Sequence, residues 1–429
     1  MNIQPQPQRS IPLNTRITSV PKSATLAINE KSKQLQLEGR DIIRLGLGQS
    51  PFPVPDSMVA HLQDYAAAKD YMAVQGYLPL REAIAGYLAR SEGLDVDASH
   101  IIVGPGSKEL FFGLQMALDC DLVLPAPSWV SYDPQARLLA RSVHWLPCRA
   151  QDGWKLTPAT LEKHCEQNKG RRQLLILNSP NNPSGACFSE QELKDLAQVA
   201  SRYDVIVLSD EIYSELHYTG EHVSMARFYP KGTIVSNGIS KWAGAGGWRL
   251  GFLAIPDSLK PVLDNMITIA SETYTSVSAP IQMASIGAFE GSNEIVDYIR
   301  ACRRIMRGVG LNFSAMLRDN GIDTVDPQGG FYCLGDFSTH REKFLQHGIN
   351  NAEKMCQSIL DATGVALLPG ADFGLRQGFF VRFAFVDIDG HALLNRVLDD
   401  PSTMIDSHTV ELQRSFEAAR RLGDWLRGL

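Results

Sequence analysis

The chain has 429 residues, 44% hydrophobic and 21% charged, a balance typical of a globular protein with room for one large and one smaller domain. Its 41 Lys and Arg against 47 Asp and Glu give a net charge of −6, so no basic surface points to a nucleic-acid partner. No apolar run is long enough to span a bilayer, the opening stretch lacks the apolar segment of a signal peptide, and seven scattered cysteines without C-x-x-C spacing argue against a zinc site, so the expectation is a cytoplasmic protein with no metal and no membrane contact.

The first fifty or so residues start rich in Pro and Gln and continue into a helical pattern, SATLAINEKSKQLQLEG. They read as an arm and part of a smaller domain. Short apolar runs follow: IIVGPG (101–106), DLVLPAP (121–127), QLLILN (173–178), DVIVLSD (204–210) and TIVSNGIS (233–240). Each predicts a fully buried strand of the kind found in parallel sheets covered by helices. Helical patterns lie between them. SKELFFGLQMAL places Leu110, Phe111, Leu114 and Leu118 on one side, and Ser189 with Glu192 forms a capping box before LKDLAQVA. The alternation predicts an α/β fold with a mainly parallel sheet in the large domain. In the C-terminal third, GGFYCLGDF and GFFVRFAFVD predict antiparallel strands beside amphipathic helices, hence a smaller α+β domain. The domain limits are set at 1–55, 56–300 and 301–429.

Polar groups follow these runs with some regularity. Gly106, Ser107 and Lys108 come after the first, Trp129 after the second and Asn182 after the third; Asp210 closes the fourth, with Tyr213 just beyond, and Lys241 follows the fifth. Each is ordinary alone, as a cap, a turn or a solvated side chain. Together they stand at the carboxyl ends of five strands, the edge where open α/β sheets bind ligands. One ligand meets all their needs. Its phosphate suits the helix start at Gly106 and Ser107, and Arg249. Its flat ring suits Trp129, its protonated ring nitrogen Asp210, its phenolic oxygen Tyr213 and Asn182, and its aldehyde Lys241. Pyridoxal 5'-phosphate has all of these. A buried lysine, otherwise costly, is then explained by covalent use.

The stretches RITSVPKSATLAINEKSKQLQLEGRDIIRLGLGQSPFPVP, YMAVQGYLPLREAI, PAPSWVSY, NSPNNPSG, SDEIYSEL, NGISKWAGAGGWRLG and PGADFG…FVRFAF, in this order, make a specific set. The chain resembles the class I pyridoxal-phosphate aminotransferases of fold type I, and among them the bacterial-type aspartate/prephenate subgroup. The resemblance implies that Lys241 is the Schiff-base lysine and proton carrier, that Asp210 pairs with the pyridine nitrogen, and that Tyr213 and Asn182 bond the ring oxygen. It implies that Trp129 stacks on the ring and that Gly106, Ser107, Lys108, Ser240 and Arg249 surround the phosphate. Arg382 would clamp the substrate α-carboxylate beside Gly48, and Tyr71 would reach the phosphate of a neighbouring subunit, making a homodimer with shared sites. The substrates implied are an amino acid and a 2-oxo acid, with aspartate or glutamate as one donor if Lys108 meets a distal carboxylate.

The chain departs from the family pattern in three places. Gly238 stands where many members have a phosphate-binding Ser, GQSPF replaces the usual GEPDF, and GAGGWR replaces MTGWR. The cofactor chemistry survives these changes, while substrate choice is left open, including transamination of aromatic or alanine-type amino acids. Lyase chemistry, β-elimination or cyclisation, would use the same residues and also stays open. A regulator carrying such a domain would need a winged-helix module, for which fewer than fifty residues precede LGLGQSPF. A scaffold without activity would be expected to have lost Lys241 or Asp210.

Overall fold

The structure is a computed structural model that describes residues 11–18, 20 and 23–429. The Pro- and Gln-rich opening lies outside the described residues. The five apolar runs form strands Ile101–Gly104, Asp121–Ala126, Gln173–Asn178, Ile206–Asp210 and Thr233–Gly238, nearly every residue of which is buried. Two further strands, Val143–Pro147 and Gly251–Ala254, complete a seven-stranded sheet. Its order, by first residue, is 101, 251, 233, 206, 173, 121, 143. Six strands run in one direction, and Gly251–Ala254 runs against both of its neighbours.

Helices cover the sheet. Leu110, Phe111 and Leu114 of helix Ser107–Ala117 pack beneath Leu122, Leu174 and Ile234. On the other face Leu193, Leu196 and Ala197 of helix Glu190–Arg202 pack over Val123, Leu175 and Val207. That helix begins with the expected capping box: Ser189 Oγ accepts from the Glu192 N–H, and the Glu192 carboxylate accepts from the Ser189 N–H at 2.7 Å.

The C-terminal third holds a four-stranded sheet, Leu368–Pro369, Phe380–Ala384, Tyr332–Asp336 and Asp323–Thr324, with all three pairings antiparallel. Leu334 and Leu368 both lie in register with Arg382. The early segment joins this part, because Ile43–Arg44 pairs with Val365–Ala366. Helix Asn293–Asp319 runs unbroken through residue 300, so the sequence-derived limit there falls within one element. Among the described residues no helix is long and apolar enough to cross a membrane.

Candidate active site

A cavity of about 490 Å³ opens at the carboxyl ends of the large sheet. Its walls include Gly48, Ser107, Lys108, Trp129, Asn182, Asp210, Tyr213, Ser240, Lys241, Arg249 and Arg382, all singled out in the sequence. Gly106 stands just behind, as the residue that starts helix Ser107–Ala117. Tyr71 is the exception. It is 92% exposed and does not line this cavity.

Lys241 follows strand Thr233–Gly238 by three residues, and its Nζ donates to the Gly48 carbonyl at 3.0 Å. Burial, helped by the nearby Arg382, pulls its pKa down to about 8, against the attraction of Asp210. Near neutrality about a tenth of the amine is therefore unprotonated and nucleophilic, far more than for an ordinary lysine.

Asp210 ends strand Ile206–Asp210 and is buried. Burial raises its pKa to about 6, opposed by two donors: the Tyr132 hydroxyl at 2.5 Å and the Ile212 N–H at 3.3 Å. A carboxylate so held attracts a cationic ring nitrogen.

Arg382 is buried between the rings of Tyr332 and Phe373, its guanidinium carbon 4.8 and 5.0 Å from their centres. It donates to the Gly46 carbonyl and to Asn182 Oδ1, the latter at 3.3 Å. Among the described residues its Nε has no hydrogen-bond partner. A buried, unpaired guanidinium donor calls for an acceptor, and a carboxylate suits its fork.

Arg249 has left-handed backbone angles, φ 56° and ψ 56°, uncommon for a residue with a side chain. Its guanidinium donates to the carbonyls of Gly246 at 2.8 Å and Pro105 at 3.1 Å. It lies so close to Gly106, at φ +86°, that a Cβ there would strike it. The positive helix start and a guanidinium thus share one small space, a cradle for an anion. Lys108 stands beside it, Nζ 5.2 Å from the Trp129 ring centre; burial and Arg249 lower its pKa.

Two tyrosines were not singled out in the sequence. Tyr132 holds Asp210, and the hydroxyl of Tyr332 lies 3.0 Å from that of Tyr213 and 3.4 Å from the Gly48 carbonyl. Ser23, Thr25 and Leu26, in and before helix Ala24–Leu37, also line the cavity. PAPSWVSY does contain Tyr132 one helical turn after Trp129, and Tyr332 follows the Gly-Gly pair of GGFYCLGDF.

This donor set fits pyridoxal phosphate: an anion cradle, a carboxylate, phenol and amide donors, and an amine of lowered pKa around one cavity. Fold and site together define a pyridoxal-phosphate enzyme built on an open α/β sheet. Residues 40–390 match the family model for aminotransferases of class I and II. An aspartate aminotransferase of Geobacillus stearothermophilus is 33% identical over 381 residues, covering 87% of this chain and 94% of that one. An aspartate/prephenate aminotransferase of Thermus thermophilus is 32% identical over 369 residues, covering 84% and 91%. The solved structure of Thermus thermophilus aspartate aminotransferase with maleate superposes with a TM-score of 0.81 at 29% identity, covering 91% of this chain and 98% of that one. The chain belongs to the class I and II aminotransferases, pyridoxal-phosphate enzymes that move an amino group between an amino acid and a 2-oxo acid.

Proposed function

We propose that Lys241 is the covalent anchor of the cofactor and the base that moves the substrate Cα proton, with aspartate or glutamate as one amino donor. The observation that carries this reading is the pairing, in one cavity, of a lysine whose pKa is pulled down to about 8 with a buried guanidinium whose Nε is unpaired. Bound pyridoxal phosphate supplies the electron sink that makes the Cα proton acidic. Arg382 grips the α-carboxylate through its free edge and fixes the amino acid so that the Cα–H bond faces the Lys241 amine. That amine takes the proton and later returns it. Asp210, steadied by Tyr132, keeps the ring nitrogen protonated, and the Tyr213 hydroxyl and Asn182 amide bond the ring oxygen. Trp129 stacks on the ring. Arg249, with the backbone at Gly106, Ser107 and Ser240, holds the phosphate.

Lys108 is the basis for an acidic donor. It lies on the border between this cavity and a second one of about 770 Å³, placing a cation where a substrate side chain would extend. The names of the similar aspartate aminotransferases support the same reading. Tyr71, which does not line its own cavity, serves the phosphate of a second copy in a homodimer. The large and small domains are assigned to residues 56–300 and 301–429, with 1–55 as arm and small-domain segment.

The test is a half-reaction screen. The yellow enzyme is mixed with each amino acid, and its conversion to the pyridoxamine form is followed by absorbance. Aspartate or glutamate should convert it fastest. In Lys108→Met, kcat/KM for these donors should fall about tenfold to a hundredfold, the worth of one charge-assisted contact, with an apolar donor nearly unchanged. Equal losses for both donors would assign Lys108 to the phosphate.

A further inference from the structure

Behind the strand that ends in Asp210 lies a second group of ionisable side chains that the reaction does not use. Glu211, the next residue, is directed away from the cavity. There it meets His222, from the loop before the short turn Met225–Arg227, and Glu92, from the end of helix Leu78–Glu92. One donor atom from each lies within 4.8 Å of the others. The side chains of Glu92, Glu211 and His222 are only 5%, 1% and 6% exposed.

The two carboxylates are held in the same way. Glu211 Oε1 accepts from the hydroxyls of Ser209 at 2.7 Å and Ser224 at 2.6 Å. Glu92 Oε2 accepts from the Ser224 N–H at 3.0 Å and from Arg227 at 3.4 Å. Each thus has one oxygen fastened by protein donors while the other faces His222. Glu211 Oε2 and His222 Nε2 are fully buried and lie 3.2 Å apart as an ion pair, and among the described residues neither has a further hydrogen-bond partner. Glu92 Oε1 lies 3.9 Å from the same nitrogen.

We propose that Glu92 Oε1, Glu211 Oε2 and His222 Nε2 form a binding site for a divalent transition-metal ion of the zinc class. Ligands at about 2.0–2.1 Å around a tetrahedral ion stand about 3.3–3.4 Å apart, so Glu92 Oε1, 3.9 Å from His222 Nε2, has to move inward to close the site. Imidazole with two carboxylates is a donor set that zinc accepts. The serine hydroxyls and Arg227 orient the carboxylates from outside, as supporting groups do around metal ligands. The ion would join three separate segments behind the cofactor: the strand of Asp210, the loop carrying His222 and the helix ending at Glu92. The cysteine spacing, which gave the expectation of no metal, is silent on such a site because none of its ligands is a thiol.

The test uses the holoenzyme, stripped with EDTA and dialysed against Zn²⁺, with Mn²⁺ in parallel. Bound metal is measured by atomic emission after gel filtration, and Tm by differential scanning fluorimetry. One zinc per chain and a Tm several degrees higher are expected. Glu92→Gln and His222→Gln should each weaken zinc binding at least tenfold. No zinc retained by the wild-type enzyme would overturn the proposal and leave the cluster held by a proton on His222. Retention with unchanged affinity in both variants would overturn it too, placing the zinc elsewhere. Should the variants fail to fold, crystals of the wild-type enzyme with stoichiometric zinc decide: an anomalous peak among the three side chains supports the site, and a peak only elsewhere refutes it.

Discussion

Asp210 depends on a hydroxyl that lies 78 positions away in the chain. Burial lifts its pKa to about 6 even against the Tyr132 donor, the main force opposing that rise. Tyr132→Phe removes the donor and leaves a buried carboxylate oxygen unsatisfied, a loss of roughly 1–3 kcal/mol. The expected result is a kcat about tenfold or more lower, with the acid limb of the pH–rate profile moved to higher pH; an unmoved limb would show that Tyr132 only packs. Lys241 gives a second pH effect. Its pKa of about 8 means that only the unprotonated amine, the form that grows as pH rises, can attack an aldehyde. Pyridoxal-phosphate uptake by the cofactor-free protein, followed by absorbance, should speed up as pH rises through about 8 and level off above it. Lys241, Asp210 and Arg249 were legible because charged groups beside apolar runs and glycines break the local pattern. Tyr132 and Tyr332 were not, since an aromatic residue among apolar neighbours looks like core. Their importance comes from partners that only the fold supplies.

At the scale of elements, three glycines form a row across the sheet: Gly104 opposite Gly251, and Gly251 opposite Gly238. The row is a matter of space. A Cβ on Gly251 would come within 2.9 Å of the Ser107 nitrogen, and one on Gly238 within 2.7 Å of the Leu250 carbonyl oxygen. The helix start that forms half of the anion cradle therefore lies flush on bare backbone. This accounts for the absence of the family's serine at 238, where any side chain would collide with the next strand. Gly238→Ala should lower stability by about 1–3 kcal/mol, measured by denaturant unfolding, because backbone rather than a flexible side chain has to yield. Five of the seven strands, the edge strand Ile101–Gly104 among them, were readable as short, mostly apolar runs. Val143–Pro147 was not, because most of it is only half-buried. Gly251–Ala254 was not either, as four residues after a glycine-rich stretch carry little periodicity.

For the whole molecule, the exposed Tyr71 gives the clearest test of assembly. If each site borrows this residue from a second copy, Tyr71→Ala and Lys241→Ala chains are each deficient alone but complementary when mixed. Random exchange makes half of the dimers mixed, each with one complete site, so about a quarter of wild-type activity should return. No recovery after verified subunit exchange would rule out a shared site.

The antiparallel strand Gly251–Ala254 has a consequence for how the molecule comes into being. Strand Ile101–Gly104 is the first of its sheet to leave the ribosome, yet its one neighbour in that sheet is among the last, some 150 residues later. Until residue 254 has emerged, that first strand has no place to dock. The same docking brings Gly106 and Ser107 against Arg249, whose guanidinium reaches Pro105. Closure of the sheet and creation of the anion cradle are thus a single event in the life of the chain. A nascent polypeptide that has not yet zipped this edge has no grip for a phosphate. One that has zipped it holds the whole cradle more than a hundred residues before Arg382 has been synthesised.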